Sequence, residues 1–286
     1  MTLSTAHKKR TDSVVSPVRS EGHTLILAGA GLLPRLMACH LGPGRATLVT
    51  LSGSADPQTC AQAAADFALG QFGAMVAFAK TRQADKVLAI GGLRRPAASE
   101  FTLDAFSIKH LDMAALQQGD DALLRAISHV FEGAGLRFVG PLEVAPDWAV
   151  PLGTLTHTSA SQVALDSLAR GWEVVQALGA LDVGQAAVVQ QGLVLATEGI
   201  DGTDALIARA GSLRRTGPGP VLIKAAKLGQ DLRLDVPTFG PETVENLRRN
   251  GFAGAFLQAG KTLLVDPAQT VAAGDAAGLF IQGVAP

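Results

Sequence analysis

The sequence is poor in charge, in aromatic side chains and in cysteine. Only 17% of its 286 residues are charged, and 24 Lys plus Arg stand against 25 Asp plus Glu, so neither sign dominates. Aromatic residues make up 5%, with no tyrosine. A chain with no basic excess and few rings to stack on bases is a poor partner for a nucleic-acid polymer, and no nucleic acid is expected. The two cysteines, Cys39 and Cys60, form neither a metal-spaced pair nor a disulfide framework, which fits a reducing compartment. No apolar run reaches the roughly 18 residues of a membrane span, so any membrane contact is expected to be peripheral. Residues 1–22 are basic and polar without the apolar core of a secretory signal; a loose tail and a cytoplasmic location are expected.

Apolar residues, at 48%, are plentiful, and the length suffices for two domains that each bury a core. "HTLILAGAGLLP" predicts a buried strand over Thr24 to Ala28 and then a glycine turn. "RATLVTLSG" and "DKVLAIGGLRRP" predict two more strands. The alanine-rich stretch "PQTCAQAAADFALGQFGAMVAFA" between them has helical spacing. "DDALLRAISHVFEGAGLRFVGP" adds a helix, stopped at Gly133 or Gly135, and a strand. Alternation of this kind predicts an α/β, Rossmann-like domain over residues 23–140 with a parallel sheet covered on both faces. The proline-bearing stretch 141–158 reads as a linker, and 159–286 as a mixed α+β catalytic domain. In it, "SASQVALDSLARGWEVVQALG" predicts a helix, "QAAVVQQGLVLATEG" a hairpin turning at "QQG", and "AGAFLQAGKTLLVD" a second hairpin turning at "AGK".

Gly29 and Gly31 have the spacing of the first two glycines of a dinucleotide fingerprint, but the third position is Pro34 and the second strand ends in Ser52 and Gly53 rather than an acidic residue. A nicotinamide-dependent oxidoreductase is thus a weak alternative. A glycine turn entering a helix can still offer backbone N–H groups to a phosphate or carbonyl, and equally can be a plain tight turn. Gly91 and Gly92 end another strand on the same expected sheet edge, where two such turns form a ligand crevice. Arg94 and Arg95, just beyond, face anionic groups there or are solvated.

The second half holds denser chemistry. In "EGIDGTDALIAR", Glu198, Asp201 and Asp204 fall close together, with Thr203 read as a helix N-cap and Asp204 as a first-turn residue. Capping leaves Glu198 and Asp201 unexplained, and clustered hard oxygens on a flexible loop suit Mg2+. In "QDLRLDVP", Asp231, Arg233 and Asp235 alternate with Leu232, Leu234 and Val236, so an extended segment would put the three charges on one face. Lys224 and Lys227 lie just upstream, and Gly240-Pro241 opens a helix just after. Asp231 and Asp235 would stand about 13 Å apart on a straight strand, so one is expected to meet metal or water and the other to orient a lysine or Arg233. Gln185, following Asp182, is a candidate for hydrogen-bonding sugar or phosphate, or closes a turn. His157 reads as an ordinary surface histidine. These ionic groups are expected to gather around one divalent cation and a P–O–P bridge.

"GTLT", "LDVGQAAVV", "EGIDGTDALIAR" and "KAAKLGQDLRLDVPTFGPET", with the earlier "LILAGAGLLP" and "GGLRRP", resemble the UDP-2,3-diacylglucosamine pyrophosphatases of lipid A biosynthesis, the magnesium-dependent two-domain family distinct from the calcineurin-like phosphoesterases. The resemblance implies hydrolysis of UDP-2,3-diacylglucosamine to UMP and 2,3-diacylglucosamine 1-phosphate, with water attacking the phosphorus on the sugar side. It also implies a substrate held between two domains. The expected set is Asp231, Asp235, Lys224, Lys227 and Arg233 for catalysis and Glu198, Asp201 and Asp204 for Mg2+. Gly29, Gly31, Gly91, Gly92, Gln185, Thr203 and Gln230 complete it for substrate. A lipid substrate implies peripheral contact with the inner membrane, and a homodimer is a compatible assembly. The remaining alternative is a non-catalytic nucleotide or lipid-sugar binding protein.

Overall fold

The computed structural model describes residues 22–92, 101–117 and 120–285. The expected tail to residue 21, and Arg94 and Arg95, lie outside the described residues. The first domain runs β1 (Thr24–Ala28), α1 (Leu33–Leu41), β2 (Ala46–Leu51), α2 (Pro57–Gln62), β3 (Asp66–Phe67), α3 (Phe72–Thr81), β4 (Lys86–Ile90), α4 (Ala105–His110), α5 (Asp120–Gly133), β5 (Arg137–Phe138) and α6 (Pro141–Val144). All five strands are parallel, in the order β3-β2-β1-β4-β5, which is the doubly wound order with its switch point between β1 and β4. The central strand "TLILA" is buried along its whole length because helices cover both faces.

The alanine-rich stretch after β2 is not one helical run. Asp56 caps α2 by accepting from the Thr59 N–H, and the helix ends at Gln62. The chain then pairs Asp66 and Phe67 with β2 before α3 begins. Two residues are too few for a periodic signal, which is why the sequence hides this strand.

The second domain runs β6 (Gly153–Thr154), α7 (Gln162–Ala180), β7 (Ala186–Gln190), β8 (Leu193–Thr197), α8 (Gly202–Ser212), β9 (Val221–Lys224), β10 (Thr238–Phe239), α9 (Pro241–Arg249), β11 (Gly254–Gln258), β12 (Leu263–Leu264), α10 (Pro267–Ala277) and β13 (Phe280–Val284). Its mixed sheet has the order β6-β13-β11-β9-β7-β8, with β9, β11 and β13 parallel and β6, β7 and β8 adding antiparallel pairs. The first expected hairpin forms: β7 and β8 turn at Gln191 and Gly192, both at positive φ (51° and 77°), as a two-residue turn of this twist requires. The second does not. β11 is buried between β9 and β13, whereas β12 leaves that sheet and pairs in parallel with β10. "AGK" looked like a hairpin turn because two apolar runs flank it, but those runs serve different sheets.

The stretch 225–236 joins the two domains. It is not extended: the Leu234 and Asp235 N–H groups both return to the Asp231 carbonyl, closing a tight turn. Leu234, 8% exposed, enters the first-domain core beside Phe138 and Ile127. The Arg233 guanidinium reaches Glu132 of α5 at 2.9 Å. The backbone of this turn also lies against Gly140, where a Cβ would meet the Arg233 Cα at 2.8 Å. Leu263 of β12 packs in turn with Ile26, Met37 and Trp148 of the first domain.

Candidate active site

The carboxyl ends of β8, β9 and β11 and the start of β7 meet at one edge of the second sheet, facing α5 of the first domain. Here lies a cavity of about 700 Å³ lined by Arg125, Gln185, Glu198, Lys227, Gln230 and Asp235, among others. Open parallel sheets commonly take ligands at this edge.

Lys224 ends β9 and is 5% exposed. Its Nζ donates to Thr203 Oγ1 at 2.9 Å, and the Thr203 hydroxyl donates to Glu198 Oε1 at 2.5 Å. Glu198 Oε2 accepts from the Gln185 N–H at 2.8 Å. A buried ammonium, hydroxyl, carboxylate and amide thus form one chain, each satisfying the next. Burial pushes the Lys224 ammonium below the usual lysine range, while Glu198, Asp235 and Asp204 pull it back up. The link through Thr203 corrects the capping expectation. The N-cap position of α8 belongs to Asp201, and Thr203 stands inside the helix with its hydroxyl turned to Lys224 and Glu198.

Asp235 is solvent-exposed and lines the cavity. Crowding by neighbouring protein still pushes its carboxyl above the ordinary range, against the pull of Lys227, the Gln230 hydrogen bond and Lys224. Gln230 Nε2 donates to Asp235 Oδ2 at 2.7 Å, and Gln230 Oε1 accepts the Lys227 N–H at 2.8 Å. Lys227 Nζ reaches Asp182 Oδ1 at 2.6 Å.

Other expected members point elsewhere. Asp231 turns away from the cavity and orients Arg233, which donates Nη2 to Asp231 Oδ2 at 2.8 Å and Nε to both carboxylate oxygens. That contact holds the Asp231 carboxyl below its usual range and raises Arg233. The turn at 231–235 explains the split, because it breaks the alternation that would have put the three charges on one face. Asp201 pairs with Arg209, which draws its carboxyl down, and Asp204 accepts from Asn246 Nδ2 at 2.8 Å. Lys224, Asp231 and Asp201 therefore do not gather around one point, and Glu198, Asp201 and Asp204 do not converge as a ligand set. His157, with a side chain 92% exposed, pairs with Asp275 at the surface.

The glycine turns behave differently from a phosphate cradle. The Gly29 N–H donates to the Ile90 carbonyl at 2.9 Å, and Ala30 and Gly92 exchange both backbone hydrogen bonds. A Cβ on Gly29 would lie 2.5 Å from the Gly92 carbonyl oxygen, so the two turns pack backbone on backbone. Gly31, exposed at the turn before α1, stands outside the cavity wall.

Among the described residues, no three His, Cys, Asp or Glu side chains form a group able to hold a metal ion. Mg2+ needs no such cage, since it is commonly held by one or two carboxylates plus substrate phosphate. Gln185 Oε1 is buried without a hydrogen-bond partner beside the same cavity that Asp235 and Glu198 line. An unsatisfied hard oxygen on a wall that also carries two carboxylates fits such a cation. From the first domain, Leu124 and Arg125 on α5 went unforeseen, since only the folded arrangement of domains reveals their place on the cavity wall.

These features define a two-domain α/β protein with an ionic cleft between a Rossmann-like sheet and a mixed sheet. A family model described as the LpxI N-terminal domain matches residues 23–148, and one described as the LpxI C-terminal domain matches residues 151–282. The chain is also 37% identical over 274 residues to a protein of Caulobacter vibrioides named UDP-2,3-diacylglucosamine pyrophosphatase LpxI, covering 91% of this chain and 97% of that one. The chain belongs to the LpxI family.

Proposed function

We propose that this chain hydrolyses the diphosphate bridge of UDP-2,3-diacylglucosamine, releasing UMP and 2,3-diacylglucosamine 1-phosphate. The observation that carries the reading, beside the family, is Asp235: an exposed carboxylate on the wall of the inter-domain cavity, held by Gln230. Its place on the cavity wall lets it meet water, and the upward push on its carboxyl makes it a better proton acceptor, so Asp235 is assigned to take the proton of the attacking water. Lys227 and Arg125 line the same cavity and offset charge on the anionic bridge. Lys224 acts from behind, keeping Glu198 and Thr203 in place.

Glu198 and Gln185, together with the substrate phosphates, would hold Mg2+, whose part is to neutralise and polarise the phosphoryl oxygens. A substrate with two acyl chains brings the protein to the cytoplasmic face of the inner membrane as a peripheral visitor. No helix among the described residues is long and apolar enough to cross a membrane.

The test is UMP release from UDP-2,3-diacylglucosamine by the purified protein with Mg2+. Release is expected to stop on chelation, to return with added Mg2+, and to be lost in a folded Asp235→Asn variant. Substrate binding without UMP release would leave a binding protein instead, and full activity in Asp235→Asn would remove Asp235 from the chemistry.

A further inference from the structure

Lys227 and Asp182 stand on different segments of the second domain, the first just after β9 and the second just after α7, and both line the cavity. Their side chains meet at 2.6 Å, Nζ to Oδ1. The lysine is held at its other end as well, because its N–H donates to Gln230 Oε1 at 2.8 Å. Gly179 brings the last turn of α7 against the same backbone, since a Cβ there would stand 3.1 Å from the Lys227 Cα.

The backbone at Asp182 is unusual for a residue with a side chain. α7 closes with a pair of hydrogen bonds, from the Asp182 N–H to the Gly179 carbonyl and from the Val183 N–H to the Leu178 carbonyl. The residue just beyond the cap of such a motif is left-handed and is usually glycine. Glycine does stand there where α5 and α9 end the same way, at Gly135 (φ 85°) and Gly251 (φ 68°). Asp182, at φ 54°, fills that position with a carboxylate. Gln83 does so with an amide after α3, so the conformation by itself marks no function. What sets Asp182 apart is where its side chain goes.

An ammonium carries three donors, and with one taken by Asp182 two remain for phosphoryl oxygens entering the cavity. A lysine that is free in solvent loses much rotamer freedom on binding an anion, whereas one already tethered loses less. The structure assigns Asp182 as a positioning residue: it tethers the Lys227 ammonium at the cavity wall, ready for the diphosphate of the ligand. That the diphosphate belongs to UDP-2,3-diacylglucosamine rests on the proposed function; the tether does not. The Asp182 side chain is 61% exposed, so the pair adds little to folding and its effect falls on affinity.

The experiment compares full-length Asp182→Gly, Asp182→Asn, Lys227→Met and the double variant Asp182→Gly/Lys227→Met. Melting temperature, kcat and KM for UMP release with Mg2+, and calorimetric titration with inorganic pyrophosphate and Mg2+ are the readouts. Asp182→Gly is expected to raise KM and the pyrophosphate Kd by about three- to tenfold, the effect of freeing one long side chain, with kcat changed less. Its melting temperature is expected to rise by about 1–3 °C, because glycine suits the left-handed position better. Asp182→Asn keeps an oxygen for Nζ and is expected to lose less affinity. In the Lys227→Met background, Asp182→Gly is expected to change neither constant further. Equal losses in the two backgrounds would overturn the assignment, since Asp182 would then act without Lys227. An unchanged KM would overturn it, and so would a fall in KM, which would make Asp182 a competitor that the ligand displaces. A lowered melting temperature accompanying the loss would make Asp182 structural and overturn it too. If pyrophosphate affinity falls in Asp182→Gly only while Lys227 is present, yet no UMP is released by the native protein, the assignment stands and the pyrophosphatase reading falls; UMP release with a KM indifferent to Asp182→Gly means the reverse.

Discussion

Truncating Leu234 to alanine tests whether the turn 231–235 is anchored in the first domain or merely lies against it. Leu234 is 8% exposed and belongs to the core built by Phe72, Phe131 and Phe138, although the sheet it departs from is in the other domain. Buried Leu→Ala changes cost about 2–5 kcal/mol, more where the site cannot collapse. Leu234 borders an apolar cavity in the first domain, so part of its surface has no packed neighbour, and the cost falls near the lower end, about 2–3 kcal/mol. For a unit of this size each kcal/mol lowers the melting temperature by about 2–4 °C, giving an expected loss of about 5–10 °C. Activity should suffer more than stability, because Asp235 is the next residue and a displacement of about 1 Å at a reacting group can cost about a hundredfold. Leu234→Met, which keeps the volume, should restore most of both. Thermal unfolding by circular dichroism and UMP release on the same preparations check this. Unchanged melting and kcat/KM in Leu234→Ala would show that the turn is not held by its leucine, and the account of how the domains meet would fail.

Gly140→Ala places a Cβ 2.8 Å from the Arg233 Cα and is expected to lower the melting temperature and UMP release together, because backbone at that contact cannot yield cheaply. Thr203→Val removes the hydroxyl between Lys224 and Glu198, a loss of about 1–3 kcal/mol for the groups left unsatisfied, and Thr203→Ser should recover it; denaturant titration reads the difference. Acid should weaken the contact through Arg233. Arg233 holds the Asp231 carboxyl low, so its stabilisation is present above the free-carboxylate value of about 3.9 and is lost as the pH falls through the depressed one. Melting curves from pH 7 downward should show this fall, and in Asp231→Asn it should be absent.

Much of the fold was legible because it is periodic. "TLILA", "ATLVTL" and "KVLAI" read as buried strands, and "QVALDSLARGWEVVQALGA" as a helix, since each is long enough to repeat its pattern. β3, β10 and β12 have two residues each and no pattern to read. The charged motif misled for a related reason. Alternation in "DLRLDV" has the period of a strand, yet its leucines and its charges go to different places because the chain turns at Asp231. Residue types were informative where pairing was not: Lys224, Glu198 and Thr203 were recognised, but that one hydroxyl joins the other two follows from β8 and β9 lying on either side of β7.

The arrangement makes the site a property of the interface and not of either domain. Lys224, Glu198 and Gln185 are fixed by the second sheet, whose strands hold them whatever the first domain does. Asp235 and Gln230 ride on the connecting stretch, whose position is set by Leu234 in the first-domain core and by Arg233 on Glu132. Separating the domains would therefore carry Asp235 away from Glu198 while leaving each sheet whole.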